Sequence, residues 1–169
     1  IQTQTLDFFE DDGEAALPEG LQYIPDFISV SEQGAFLKMI DDLPWQNDLK
    51  RRVQHYGYRY DYKARAVGSE SYLGALPDWI SGLSERLFAD GIFAQKPDQV
   101  IVNEYLPGQG ISAHVDCVPC FSDVIASLSL GSAAVMRFKH LSSSETYDQY
   151  LEPRSLVVLS GSARYEWQH

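Results

Sequence analysis

Residues 100–116 read VIVNEYLPGQGISAHVD. Together with Gln99, the first part is strand-like, rich in β-branched and aromatic residues. PGQG at 107–110 then marks a turn. In the segment after the turn, His114 and Asp116 stand two apart. Alternate side chains of an extended segment project to the same side, so the imidazole and the carboxylate share a face. Asn103 and Tyr105 have the same spacing and share a face of the preceding strand.

Toward the C-terminus, VIASLSL, AAVMRFKH and RSLVVLSG have the length and composition of short strands, separated by Gly, Ser and acidic loops. His140 falls in one of those loops. Toward the N-terminus, LQYIPDF is a short strand broken by Pro25. Ser29 and Glu32 have capping-box spacing. Phe36, Leu37 and Ile40 then mark the apolar face of a helix that ends before Pro44. Pro77 opens a second helix, with Trp79, Ile80, Leu83 and Leu87 along one side and Gly91 past its end. Between the helices, residues 52–63 alternate polar and aromatic, with Tyr56, Tyr58, Tyr60 and Tyr62 at strand spacing. Helices first and short strands afterwards predict an α+β fold, with an antiparallel sandwich or jelly roll as its main body.

The chain has 169 residues, enough for one domain with its own core, and residues 1–20 form an exposed lead-in. No apolar run is long enough to span a bilayer. Two cysteines, Cys117 and Cys120, exclude a disulfide scaffold and are expected as free thiols in a loop of a cytoplasmic protein. The formal net charge of −11 disfavours nucleic acid or acidic membranes taken as a whole. Its distribution changes that conclusion. Residues 1–43 hold ten acids and the single base Lys38, whereas residues 50–65 hold Lys50, Arg51, Arg52, Arg59, Lys63 and Arg65 against Asp61 alone.

Two histidines and one carboxylate on one side of a metal are the donor set of non-haem Fe(II) oxygenases. His169, directly after the apolar strand SLVVLSG, can return beside His114 in a jelly roll. The predicted ligand set is therefore His114, Asp116 and His169. Around it lie Asn103 and Tyr105, PGQGISAHVD at 107–116, SLSLGS at 127–132, the strand leading through SARYEWQH at 162–169 and GYRY at 57–60. In this order and spacing, from about residue 22 onward, the chain resembles the AlkB family of Fe(II)- and 2-oxoglutarate-dependent dioxygenases. Within it, the chain is similar to bacterial AlkB-like proteins and to the dioxygenase domain of tRNA-modifying members.

The resemblance implies a double-stranded β-helix, here with the two helices packed on one sheet, an Fe(II) ion and 2-oxoglutarate. It places Asn103 and Tyr105 on the cosubstrate and Tyr58 near the substrate base. The implied reaction oxidises an N-methyl group of a base in DNA or RNA and releases formaldehyde, succinate and CO2. The alternatives are hydroxylation of a modified tRNA uridine and a non-catalytic nucleic-acid-binding domain. Arg51 and Arg52 are expected to pair with phosphates, and Tyr58 and Tyr60 to stack bases. Single strands are favoured, because a base in a duplex must first be flipped out. The expected protein is a monomer of the cytoplasm, or of the nucleus in a eukaryote. The sequence departs from the family at two points. The family's R-x-N-x-T-x-R tail would follow His169, so a further C-terminal strand is expected. Val118 stands where some base-repair members carry an acid.

Overall fold

The computed structural model describes residues 16–47 and 49–169; most of the expected lead-in lies outside them. In chain order the elements are β1 (Leu21–Ile24), α1 (Val30–Asp42), β2 (Arg52–Tyr56), α2 (Asp78–Ala89), β3 (Val100–Glu104), β4 (Ile125–Leu128), β5 (Ala134–His140), β6 (Thr146–Leu151), β7 (Leu156–Leu159), α3 (Gly161–Tyr165) and β8 (Trp167–Gln168). Every strand pairing is antiparallel, in sheets ordered β1-β7-β4, β2-β3 and β6-β5-β8.

LVVL of β7 organises the core. All four of its residues are buried, and β7 lies between β1 and β4. Alternation sends Val157 and Leu159 to one face and Leu156 and Val158 to the other. The first pair joins Leu21, Phe138, Leu151, Ala163 and Trp167, which fill the space between the two three-stranded sheets. The second pair joins Phe27, Ile28 and Leu87, with Phe36 of α1 and Leu83 of α2 packed against them. A strand covered on both faces needs an unbroken apolar run rather than an alternating one.

Both helices begin where the local chemistry directs. The Ser29 hydroxyl accepts from the Glu32 N–H at 3.2 Å, and the Glu32 carboxylate accepts from the Ser29 N–H at 2.6 Å. Pro77 caps α2, and Gly91, with φ +73°, follows its end.

Five expectations are corrected. The strand over 52–63 stops at Tyr56, because Gly57 adopts φ +77° and the chain turns away. The tyrosines then part company: Tyr56 meets Trp79 and Tyr58 meets Tyr72, while Tyr60 meets both Tyr62 and Phe121. His140 is not in a loop; it ends β5 and pairs with Trp167 of β8. The stretch assigned to an acidic loop contains β6, whose inward positions are Tyr147, Gln149 and Leu151. A buried glutamine, bonded to the Tyr147 hydroxyl at 3.2 Å, hides the alternation from a hydrophobicity pattern. Residues 161–165, expected as strand, form the short helix α3. Finally, Cys117 and Cys120 are joined as a disulfide rather than free. The turn Cys117–Cys120 brings their Cα atoms to 5.2 Å, within bridging range.

Gly57 is the backbone hinge between β2 and the loop that follows. A Cβ there would be driven into the Asp98 carbonyl oxygen, and φ is already in the left-handed region. Gly57→Ala is expected to destabilise the fold by about 2 kcal/mol or more. A denaturant melt checks this; an unchanged midpoint contradicts it.

Candidate metal centre and its surroundings

His114 and Asp116 lie on an extended segment, and His169 follows β8 directly. Two reciprocal main-chain bonds join the segments: His114 N–H donates to His169 O at 3.1 Å, and His169 N–H donates to His114 O at 3.0 Å. This is the pattern of a hydrogen-bonded antiparallel pair. It sets the two imidazoles side by side, with ring centroids 4.9 Å apart. The Asp116 carboxylate lies beneath both, its oxygens 3.6 Å from each Nε2. One ligand atom from each of the three side chains falls within a 4.8 Å span, so the structure brings together all three predicted ligands.

Neighbouring groups prepare the donor atoms. The His114 Nδ1 lies 3.0 Å from the Ser112 carbonyl oxygen. That oxygen only accepts, so Nδ1 carries the proton and Nε2 keeps its lone pair. The adjacent Asp116 carboxylate is the main cause that raises the His114 pKa above its ordinary value, against burial and the more distant Arg51 charge. Burial pushes the His169 pKa down. Burial alone would raise the Asp116 pKa, but His114, His169 and Arg164 outweigh it and hold the carboxyl below its usual range. An ionised carboxylate and two available Nε2 atoms fit a divalent cation of the Fe(II) class. Beside them runs a cleft lined by Arg65, Val115, Asp116, Cys117 and Val118.

Arg164, not assigned to the site from sequence, supports it. Its side chain is buried; Nη1 donates to the Asp116 carbonyl at 3.1 Å and Nε to the Ser122 carbonyl at 3.3 Å. The guanidinium thus clips both ends of the loop holding the disulfide. From the other side, Arg65 Nη2 donates to the Val115 carbonyl at 2.9 Å. An arginine between Ala163 and Tyr165 carries no signal of this role, because only α3 turns it inward.

The other predicted residues divide. Arg52 and Glu104 are direct cross-strand partners, and the guanidinium bonds both carboxylate oxygens at 2.6 Å while lying 4.4 Å from the Trp45 ring centre. Arg52 is thereby committed within the fold rather than presented to phosphate. Arg51 turns toward Asn103 and Tyr105. Asn103 is the fourth residue of β3, and Tyr105 lies just past its end, 43% exposed. Tyr60 packs on Phe121, in the loop after Asp116, whereas Tyr58 and Tyr72 line a separate cleft against α2. His55 is buried against Tyr62, and burial lowers its pKa.

A family model described as the 2OG-Fe(II) oxygenase superfamily matches residues 20–169. The tRNA (carboxymethyluridine(34)-5-O)-methyltransferase ALKBH8 of Mus musculus is 41% identical over 165 residues, which cover 93% of this chain and 25% of that protein. The Alkylated DNA repair protein ALKBH8 homolog of Arabidopsis thaliana is 39% identical over 180 residues, 94% of this chain and 52% of its own. The chain therefore spans between a quarter and about half the length of these relatives. A DNA N6-methyl adenine demethylase of Caenorhabditis elegans is 26% identical over 157 residues, 89% of this chain and 54% of its own. In three dimensions the solved structure of OsALKBH1 matches with a TM-score of 0.69 at 16% identity, covering 90% of this chain and 85% of that one.

Proposed function

Because the chain belongs to the 2OG-Fe(II) oxygenase superfamily, as an AlkB-like oxidoreductase that uses Fe(II) and 2-oxoglutarate, we propose that it hydroxylates an alkyl carbon attached to a base of single-stranded DNA or RNA. On an N-methyl group the product is an N-hydroxymethyl base, which loses formaldehyde and leaves the bare N–H. 2-Oxoglutarate and dioxygen are consumed, and succinate and CO2 are formed. The observation that carries this reading is the cluster of His114, Asp116 and His169, with nucleic-acid-directed relatives in support.

Within that reading, His114, Asp116 and His169 would hold the iron. Iron with 2-oxoglutarate and dioxygen supplies the oxidising chemistry when bound. The protein's residues supply placement. The Ser112 carbonyl fixes the His114 tautomer, and Arg164 and Arg65 hold the backbone on either side of Asp116. Asn103 and Tyr105 are assigned to the cosubstrate. Tyr58 and Tyr60 are assigned to the substrate bases, and the exposed Lys63 to phosphate. The scaffold is read as a double-stranded β-helix buttressed by α1 and α2, working as a monomer in the cytoplasm or nucleus. Among the described residues, no helix is long and apolar enough to cross a membrane.

A second reading is hydroxylation of a modified tRNA uridine, in which the hydroxyl stays on carbon and no formaldehyde leaves. It is favoured by the 41% identical relative named for a tRNA uridine and by the apolar, exposed Val118 beside the cleft. The intact protein is incubated with Fe(II), 2-oxoglutarate and either a 1-methyladenine oligonucleotide or tRNA, with mass spectrometry of the product. Loss of a methylene with formaldehyde is expected for the first reading, and gain of one oxygen for the second. Succinate release without change to either nucleic acid would reject both.

A further inference from the structure

Arg51 sits in the basic run, yet its side chain faces β3 rather than solvent phosphate. Its Nε donates to Oδ1 of Asn103 at 2.8 Å. Its guanidinium carbon lies 5.4 Å from the Tyr62 ring centre and 5.9 Å from that of Tyr105. Among the described residues no carboxylate forms an ion pair with it.

A carboxamide has an accepting end and a donating end. Guanidinium only donates, so its bond to Asn103 decides which end is which: Oδ1 faces Arg51 and Nδ2 is left for a third party. That third party sees two N–H donors and no competing oxygen. The keto and carboxylate oxygens of 2-oxoglutarate only accept, so this is the orientation they need. Without Arg51 the amide is free to rotate and present an oxygen to an oxygen. The guanidinium also lies near the Tyr105 ring, at a distance where a cation is attracted to the ring face.

We propose that Arg51 is a positioning residue for 2-oxoglutarate, acting through Asn103 and Tyr105, and not a phosphate contact. The proposal rests on the assignment of Asn103 and Tyr105 to the cosubstrate. It also separates two adjacent arginines that the sequence treats alike: Arg52 locks β2 to β3, and Arg51 sets the polarity of the site between them.

The test is calorimetric titration of 2-oxoglutarate into the intact, manganese-loaded protein, where no turnover intervenes. Arg51→Ala is expected to weaken cosubstrate binding about tenfold, and Asn103→Ala by a similar factor. The double variant is expected to be little worse than either single one, because both remove the same oriented donor. Arg51→Lys, whose ammonium can reach the same oxygen, is expected to recover part of the loss, and Arg51→Ala to bind oligonucleotide within about twofold of the parent, with the same salt dependence. If Asn103→Ala weakens 2-oxoglutarate while Arg51→Ala and Arg51→Lys do not, the proposal falls. A shallower salt dependence of oligonucleotide binding in Arg51→Ala would then assign Arg51 to phosphate. If Asn103→Ala leaves the cosubstrate affinity intact, the assignment of Asn103 fails and the role of Arg51 fails with it.

Discussion

Asp116→Ala is expected to abolish turnover while leaving the fold in place. The carboxylate is the only anionic group among the three clustered side chains, and each of its oxygens stands 3.6 Å from one imidazole Nε2. Substitutions that merely disturb the support of a ligand cost roughly 10–100-fold in metal affinity, so loss of the ligand itself should exceed about a hundredfold. The backbone should survive, because its fastenings do not involve the side chain. Arg164 bonds the Asp116 carbonyl oxygen, and the His114–His169 pairing is main chain on both sides. Manganese titration, succinate formation and a thermal melt on the same protein separate these effects. A variant that still releases succinate at the parent rate would show that the cluster is not the seat of the reaction.

The largest stability effect is expected at Phe138. Its side chain has no exposed surface, and its ring lies 6.4 Å from that of Tyr147 and 5.8 Å from that of His169. It fills the space between the two three-stranded sheets together with Leu21, Leu151 and Trp167. Phe138→Ala removes that volume where both sheets are held by paired strands and cannot close in, so a loss of about 3–5 kcal/mol is expected. For a chain of this size that corresponds to a melting temperature lower by roughly 6–20 °C. Because the ring also backs His169, metal affinity should fall in the same variant. Phe138→Leu keeps most of the volume and should cost only about 1.5 kcal/mol or less. Equal melting temperatures for Phe138→Ala and the parent would remove Phe138 from the centre of the core.

Local chemistry was sufficient where it acted alone. The Ser29–Glu32 capping box, the Pro77 cap of α2 and the unbroken LVVL run are each fixed by residues within one or two turns. The spacing of His114 and Asp116 likewise shows that they can share a face, since that depends only on the period of an extended chain. Where an inward position is polar, the pattern loses its meaning. Gln149 hid β6, and Gly57 ended a strand that the tyrosine spacing alone would extend.

By itself the sequence determined the helix starts, the apolar strand and the chemical identity of the three residues that the structure clusters. Only the tertiary structure decided how distant groups meet. The 54 residues between His114 and His169 are bridged by β8 pairing with β5 and by two main-chain bonds. Cross-strand register commits Arg52 to Glu104 and leaves the neighbouring Arg51 to face Asn103. Identical side chains at adjacent positions point to opposite sides of a strand, and which side holds the site depends on what the rest of the chain has packed there.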